Sequence, residues 1–475
     1  MLRPLIQRRR PQTQRNRERG VTMALVAITM LAVISMAAIS IDLGALFEAK
    51  AEAQRAADLG ALAAARVISV EGITGDPTNG ATDTSWGDIC GGATSPASLA
   101  ATTIAQQNLV NGTAAPNVKV YYGTDTAVGT NQDCTAAGAA FGVNPVIQVY
   151  VQQPTLPTYF ARIFSLLIPG AGGNSGVSAT ATAEVYNSSG SASVGAGTMV
   201  PVQPRCVKPW IVANNDPKNS GGANPFVKLD GTIQNGGVFQ INTGVIGETF
   251  IVNAACDPTV KASCTLLSGD NPPNGSGGVL SYIPALVSSK SVAIASNTSC
   301  SLDTSSNYQL AIAGCDQSTV YACGTVNGAT ADLTENPVYP TGAGDTLTGM
   351  KCLTNSAVGA DSLAGGNPPT YPFEIEAGFG NPLVQAGLVF NNDIIVSSNS
   401  IVTVPIASFG GATLTAGSQP AVTIVGYLQL FIIPPLPPSG FNVAVLNVVG
   451  CSNSAAGNPS VTGTSPVPIR LITPP

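Results

Sequence analysis

From Val21 to Ile41 the chain reads VTMALVAITMLAVISMAAISI, twenty-one residues without a charge, bounded by Arg19 and Asp42. A helix of that length rises about 32 Å, close to the thickness of a hydrocarbon core. Its polar side chains are Thr22, Thr29, Ser35 and Ser40, whose hydroxyls can bond back to carbonyls of the preceding turn. A helix in a water-soluble core is seldom apolar on every face for so long. The run therefore reads as a transmembrane helix, with the lipid bilayer as its first partner. A cleaved signal peptide is the competing reading. Its apolar core spans about 7–15 residues, whereas this run is longer and its helical pattern continues without a break.

Charge gives the helix a direction. Seven of the 20 basic residues and one of the 26 acidic residues, Glu18, fall within residues 1–20. The first twenty residues thus carry +6 and the other 455 carry −12. The positive-inside rule keeps the Arg-rich tail cytoplasmic and sends residues 42–475 to the periplasmic or extracellular side. Arginine clusters also bind nucleic acid, but position makes this one a topology signal, and no nucleic-acid partner is expected.

The ten cysteines agree with that direction. None precedes residue 42, so all lie on the side expected to be oxidising. Cys90 and Cys134 form one set; residues 206, 256, 264, 300, 315, 323, 352 and 451 form another. Both sets are even, as two separate disulfide frameworks require, but eight cysteines leave about a hundred connectivities open. Zinc is disfavoured, since there is no CxxC pair and no histidine.

After Ile41 the chain continues as DLGALFEAKAEAQRAADLGALAAAR, with no proline before Pro77. Alanine-rich sequence favours helix, so one nearly continuous helix is expected from about residue 21 to 69. Ala49, Ala53, Ala56, Ala57, Gly60, Ala61 and Ala64 recur at spacings of three and four. They form a small-residue stripe that lets another element approach the backbone closely. Arg19-Gly20, the apolar run, Ile41-Asp42-Leu43-Gly44 and Gln54-Arg55-Ala56-Ala57-Asp58 with its Ala-rich tail resemble the amino-terminal module of TadG-like Flp (Tad) pilus-assembly proteins. The resemblance is specific over residues 19–66 and continues more loosely to about residue 185. It implies a single-pass component of the inner membrane, with other Tad/Flp pilus components or pilin subunits as partners. Type IV prepilins and TadE-like pseudopilins carry Glu five residues after their Gly. Here Leu25 follows Gly20 at that place, which implies a permanent anchor. The nearest match to the metal motif of a von Willebrand A domain is Asp303-Thr304-Ser305-Ser306-Asn307. It ends in the wrong residue and lacks a preceding strand, so that domain is not expected.

Five segments follow: a basic tail (1–20), a transmembrane helix (21–41), a TadG-like α+β domain (42–186), a Gly/Ser/Ala linker (187–198) and a β-rich extracytoplasmic domain (199–475). The fold class expected is α+β: the membrane helix continues into a long helix packed on a small antiparallel sheet, followed by an all-β carboxy-terminal sandwich or barrel. In the first domain 98–110 and 160–168 read as helices, and 119–122, 146–151 and 177–185 as strands. In the second, the strand candidates are 238–241, 249–252, 292–295, 309–313, 387–390, 400–406, 423–433, 442–449 and 468–472.

Little in the sequence points to chemistry. The chain has no histidine, which removes the usual general base, metal ligand and pH switch together. Carboxylates or a Ser–Lys pair could still act. Glu374 and Glu376 would share a strand face, but two solvent-facing acids explain them as well. Oxygen-rich loops at 216–224 and 391–393 could hold Ca2+, yet neither has EF-hand spacing and ordinary turn chemistry accounts for both. The Asn-x-Ser/Thr triplets at Asn111, Asn187, Asn274 and Asn297 are expected in surface loops. No catalytic, cofactor-binding or metal residue is assigned, and no cofactor. The reading is a membrane-anchored, non-enzymatic component associated with Tad/Flp pilus assembly, the alternative being an anchored adhesin or ligand-binding module.

Overall fold

The computed structural model describes residues 13–70, 86–124, 127–138, 141–142, 145–157, 175–187, 202–218, 225–228, 230–234, 244–255, 278–287, 292–293, 300–323, 328–335, 344–371, 373–409, 414–415, 417–436, 440–451 and 461–473. The expected helix at 160–168, the strand at 238–241, the linker beyond Asn187, Asn274, Asn297, Cys256 and Cys264 lie outside the described residues. Contacts divide the chain into two units, residues 1–57 with 105–118 and 150–179, and residues 58–104 with 119–149 and 180–475.

The first element, α1 (Thr13–Val70), is one 58-residue helix, longer at its start than the apolar run implies. Then come α2 (Trp86–Cys90), α3 (Pro96–Gln107), β1 (Asn117–Thr124), β2 (Ala127–Asn131), β3 (Val146–Leu156) and β4 (Ser175–Val185). The helix expected at 98–110 and the strands at 119–122, 146–151 and 177–185 correspond to α3, β1, β3 and β4. The disulfide Cys90–Cys134 ties α2 to the turn after β2. Above it Trp86 and Tyr122 each meet Phe141 edge to face, with centroids 5.9 Å apart.

The carboxy-terminal region carries β5 (Val202–Pro204), β6 (Trp210–Ala213), β7 (Thr249–Ala254), β8 (Val279–Pro284) and β9 (Val292–Ala293). It continues with α4 (Asn307–Ala313), β10 (Cys315–Asp316), β11 (Ala329–Thr330), α5 (Asp345–Leu353), β12 (Ser362–Leu363), β13 (Ile375–Glu376), α6 (Pro382–Gln385) and β14 (Ile394–Ile395). The last strands are β15 (Ile401–Ser408), β16 (Ala421–Ile433), β17 (Phe441–Gly450), β18 (Val461–Gly463) and β19 (Ile469–Ile472). The main sheet runs β11-β16-β15-β6-β8-β7-β17, and β17 also pairs with β16. Six strands thereby close into a ring, a mixed barrel in which β6–β15 and β7–β8 are parallel. Closure removes the open edges of the sheet.

Both faces of the barrel wall are covered. Trp210, Val212, Leu280, Tyr282, Val404 and Leu428 belong to one core cluster, while Ile211, Ala213, Ile283, Ala407, Ile424 and Tyr427 belong to another. A strand buried on both faces needs no polar alternation, which is why 423–433 is almost uninterruptedly apolar. The disulfides Cys206–Cys315, Cys300–Cys352 and Cys323–Cys451 all fall within the second cysteine set, as its even count requires.

Four expectations are corrected. The carboxy-terminal region is β-rich but not all-β, since it contains α4, α5 and α6. The apolar run 309–313, read as a strand, is the body of α4. The Ser306 side chain caps its first turn by accepting from the Gln309 amide, and the Gly314 amide bonds back to Leu310 at its end. Residues 387–390 form turns after α6, with the Gly387 amide bonded to the Val384 carbonyl at 3.0 Å. Finally, β19 joins β4, so the small sheet runs β19-β4-β3-β1-β2 and takes its outermost strand from the far end of the chain.

Candidate functional site: the membrane helix and its anchorage

Every Val, Ile, Leu and Met between Val21 and Ile41 is exposed, by between 53% and 79%. Among the described residues none covers them, and an apolar surrounding is what would favour such a surface. The Thr29 hydroxyl donates to the Val26 carbonyl at 2.9 Å, removing one polar group from that surface. Among the described residues one helix, α1, is long and apolar enough to cross a membrane.

The character of α1 inverts beyond Asp42, which is itself buried. Ala49, Ala53, Ala56 and Ala57 are buried while Leu43 and Phe47 stay exposed. Within this unit, the Lys50 ammonium donates to the Ser178 carbonyl of β4. The Glu52 carboxylate accepts the Asn111 amide at 2.6 Å. Asn111 has a positive φ of 52° in an exposed tight turn, closed by the Val110–Thr113 backbone pair. Gln153 and Asn117 add side-chain bonds to Thr113 and Gln152.

In the other unit, the end of α1 is held from two sides. The Asn447 side-chain amide on β17 donates to the Ser69 carbonyl at 3.1 Å, and the Ser69 hydroxyl donates to the Val467 carbonyl at 3.4 Å. A helix terminus leaves its last carbonyls without intrahelical partners, and Asn447 satisfies one of them. Val70 enters the larger barrel cluster. Nearby, β19 pairs with β4 so that Arg470 faces Glu184, and the Arg470 Nε lies 2.5 Å from the carboxylate of fully buried Glu184. Asn187, expected in a surface loop, is buried and donates to the Val448 carbonyl at 3.0 Å. That placement corrects the surface-loop reading of this triplet.

The residues weighed for chemistry are dispersed. Glu374 and Glu376 are half-buried on the face of β13 opposite buried Phe373 and Ile375, and Glu376 accepts from the Ser362 hydroxyl. Asp303 closes a turn by accepting the Ser305 amide at 2.8 Å, leading into the α4 cap. Asp393 accepts the Phe390 amide at 2.7 Å. Asp216 is buried and accepts the Lys218 amide at 2.9 Å, and the rest of that loop lies outside the described residues.

Two buried ionisable groups carried no sequence signal. The Lys208 ammonium donates to the carbonyls of Ala311, Ile312 and Gly314 at 3.4, 2.8 and 2.6 Å, at the negative end of α4. Burial pushes it down to about 7, against the pull of those three carbonyls. Glu248 is pushed up to about 8 by burial and then by the neighbouring Asp216 charge, with Lys218 opposing. Protonated, it is neutral where a carboxylate would be costly.

Neither curated proteins nor solved structures match the chain. Its amino-terminal module does have a counterpart: residues 20–67, which take in the exposed apolar stretch and the buried alanine stripe of α1, match the family model described as "Putative Flp pilus-assembly TadE/G-like".

Proposed function

We propose that this chain is a single-pass, non-enzymatic component associated with Tad/Flp pilus assembly, anchored in the inner membrane. Residues 1–20 face the cytoplasm, and residues 42–475 form a TadG-like α+β domain (to 186), a linker (187–198) and a β-rich domain on the periplasmic or extracellular side. The observation that carries the reading is a coincidence of boundaries. The matched segment, residues 20–67, takes up most of α1, which is lipid-compatible in its first half and small-residue-lined in its second. The resemblance that continues to about residue 185 supports extending the module through β4. The Lys50 and Glu52 bonds support packing of the long helix on the small sheet. The charge split, +6 before the span and −12 after it, supports the orientation. Partners on this reading are the bilayer and other Tad/Flp pilus components or pilin subunits.

The test is genetic. A deletion strain is scored for pili by electron microscopy and complemented with the full chain, or with a chain in which residues 1–41 are replaced by a cleavable signal peptide. Pili should return only with the full chain. Pili in the uncomplemented deletion strain, or full rescue by the released ectodomain, would overturn the proposal.

A further inference from the structure

Among the described residues after Val70, twelve large apolar side chains are exposed, and six of them fall within eighteen residues: Phe379, Leu383, Leu388, Phe390, Ile394 and Val396. Leu388 and Phe390 are 72% and 81% exposed, as open as the lipid-facing residues of α1. Monomeric proteins seldom display so concentrated an apolar surface without a use for it.

The segment that displays them is held in place. The buried Asp361 carboxylate accepts the Gly378 amide at 2.8 Å, the Asn381 side-chain amide at 2.9 Å and the Ser398 hydroxyl. The Gln385 side chain donates to the Phe379 carbonyl at 2.6 Å, and the Asn392 amide to the Ala377 carbonyl at 2.8 Å. Phe379 is flanked by two glycines that cannot be replaced. A Cβ on Gly378 would lie 2.2 Å from the Ala360 carbonyl oxygen, and one on Gly380 would lie 2.8 Å from that of Gly359. The backbone is pressed against residues 359–360 on both sides of Phe379, and the ring faces out. Such a fixed surface costs little entropy when it docks.

Strand geometry and charge identify what docks. β14 is the edge of the three-stranded sheet β12-β13-β14, and no described strand pairs with its outer side. Ile394 and Val396 are exposed with Ile395 buried between them. None of the usual edge protections, a lysine, a proline or a bulge, interrupts residues 394–396. Antiparallel pairing of two identical edges is two-fold symmetric by construction. The chain from 352 to 469 contains no Lys or Arg and only four acids, Asp361, Glu374, Glu376 and Asp393. For two ectodomains of charge −12, so charge-poor a face is where like-charge opposition is least. The six side chains expose on the order of 500 Å2 of apolar surface. A symmetric contact would then bury roughly 1,000 Å2 before any polar rim is counted, at the lower limit for a specific dimer.

We propose that this platform is a self-association surface, on which a second copy of the chain pairs edge to edge across β14 and buries Phe379, Leu388 and Phe390 against their counterparts. The test is sedimentation velocity of the full chain in detergent micelles across the micromolar range. It is repeated with Phe390→Asp and with Leu388→Ser, and near-ultraviolet circular dichroism checks folding. The expected result is a reversible dimer for the parent chain, weakened at least tenfold by each folded variant. Should Phe390→Asp fail to fold, the milder Leu388→Ser decides. A parent chain monomeric throughout the range, an assembly larger than a dimer, or a dimer equally tight in the folded variants would overturn the proposal. The last outcome would assign association to another surface, such as the membrane helix.

Discussion

Helix α1 and the six-stranded barrel reach order by opposite routes. In α1 each backbone bond joins residues four apart, so any stretch of it can form from its own sequence once nucleated. In the barrel, Val212 pairs with Ile406 and Phe441 with Val252, so the ring cannot close until most of the carboxy-terminal region has assembled. Local bonds cost little loop entropy, whereas each long-range pairing must first bring distant segments together. The difference teaches where covalent help belongs. Of the four disulfides among the described residues, three lie in the barrel region and span 109, 52 and 128 residues, while α1 has no cysteine.

The largest expected effect follows from that contrast. Replacing Cys323 and Cys451 together by serine reopens the 128-residue span and should lower barrel stability by about 4 kcal/mol. Urea unfolding followed through the fluorescence of buried Trp210 measures it, and the helical ellipticity of α1 in micelles should hardly change. A loss below about 1 kcal/mol would mean that strand pairing alone closes the barrel.

The second contrast lies within α1. Ala57 is fully buried and Ala32 is exposed in the apolar run. Ala57→Leu forces three extra carbons into a filled site and should cost about 2 kcal/mol, whereas Ala32→Leu should change stability by less than about 0.5 kcal/mol. Thermal unfolding in micelles compares the two, and equal effects would refute the division of the helix into a lipid-facing and a packed half. A smaller effect is expected where helix and barrel meet in sequence-distant contact. Asn447→Ala strips the Ser69 carbonyl of its donor and should cost about 1 kcal/mol, visible as faster amide exchange in the last turn of α1.

The same contrast decides how much the sequence discloses. The span, the stripe and nearly all of α1 are legible because a periodic pattern and its consequence sit in the same few turns. β15, β16 and β17 are legible too, as long apolar runs bounded by Gly and Pro. The barrel closure is not, because nothing in residues 441–450 names β7 and β16 as their neighbours. Nor does PIRLI at 468–472 say that its partner is β4, nearly 300 residues earlier. The helix α4 was readable in part: Ser306 and Gln309 have the spacing of a capping box, but QLAIA looks equally like a strand when read for hydrophobicity alone. Asn187 shows the limit for sites. A glycosylation-like triplet is a surface signal only if the asparagine is exposed, and here the amide is spent on the Val448 carbonyl. Lys208 and Glu248 have no local pattern, because what matters is the buried place each occupies.

Glu248 gives the most discriminating test. Burial, then the Asp216 charge, raise its carboxyl to about 8, and Lys218 only partly offsets them. The folded protein therefore holds a proton that the unfolded chain releases at an ordinary carboxyl value of about 4.3. Between those two values the native state binds more protons than the unfolded state, so stability must fall as pH rises. It is greatest below the unfolded value, and no further loss from this group occurs above about 8. Glu248→Gln keeps a neutral side chain in that place at every pH. The variant should match the parent at about pH 4 and become progressively more stable than it towards about pH 9, with the urea midpoint of the Trp210 signal as the readout. Asp216→Asn should leave the start of the parent's decline in place but end it at lower pH with a smaller total loss, because it removes the second cause and leaves the first. If Glu248→Gln instead tracks the parent at every pH, the carboxyl ionises in the fold as it does in the unfolded chain, and Lys218 offsets burial. The barrel would then hold a paired charge where a neutral acid is expected.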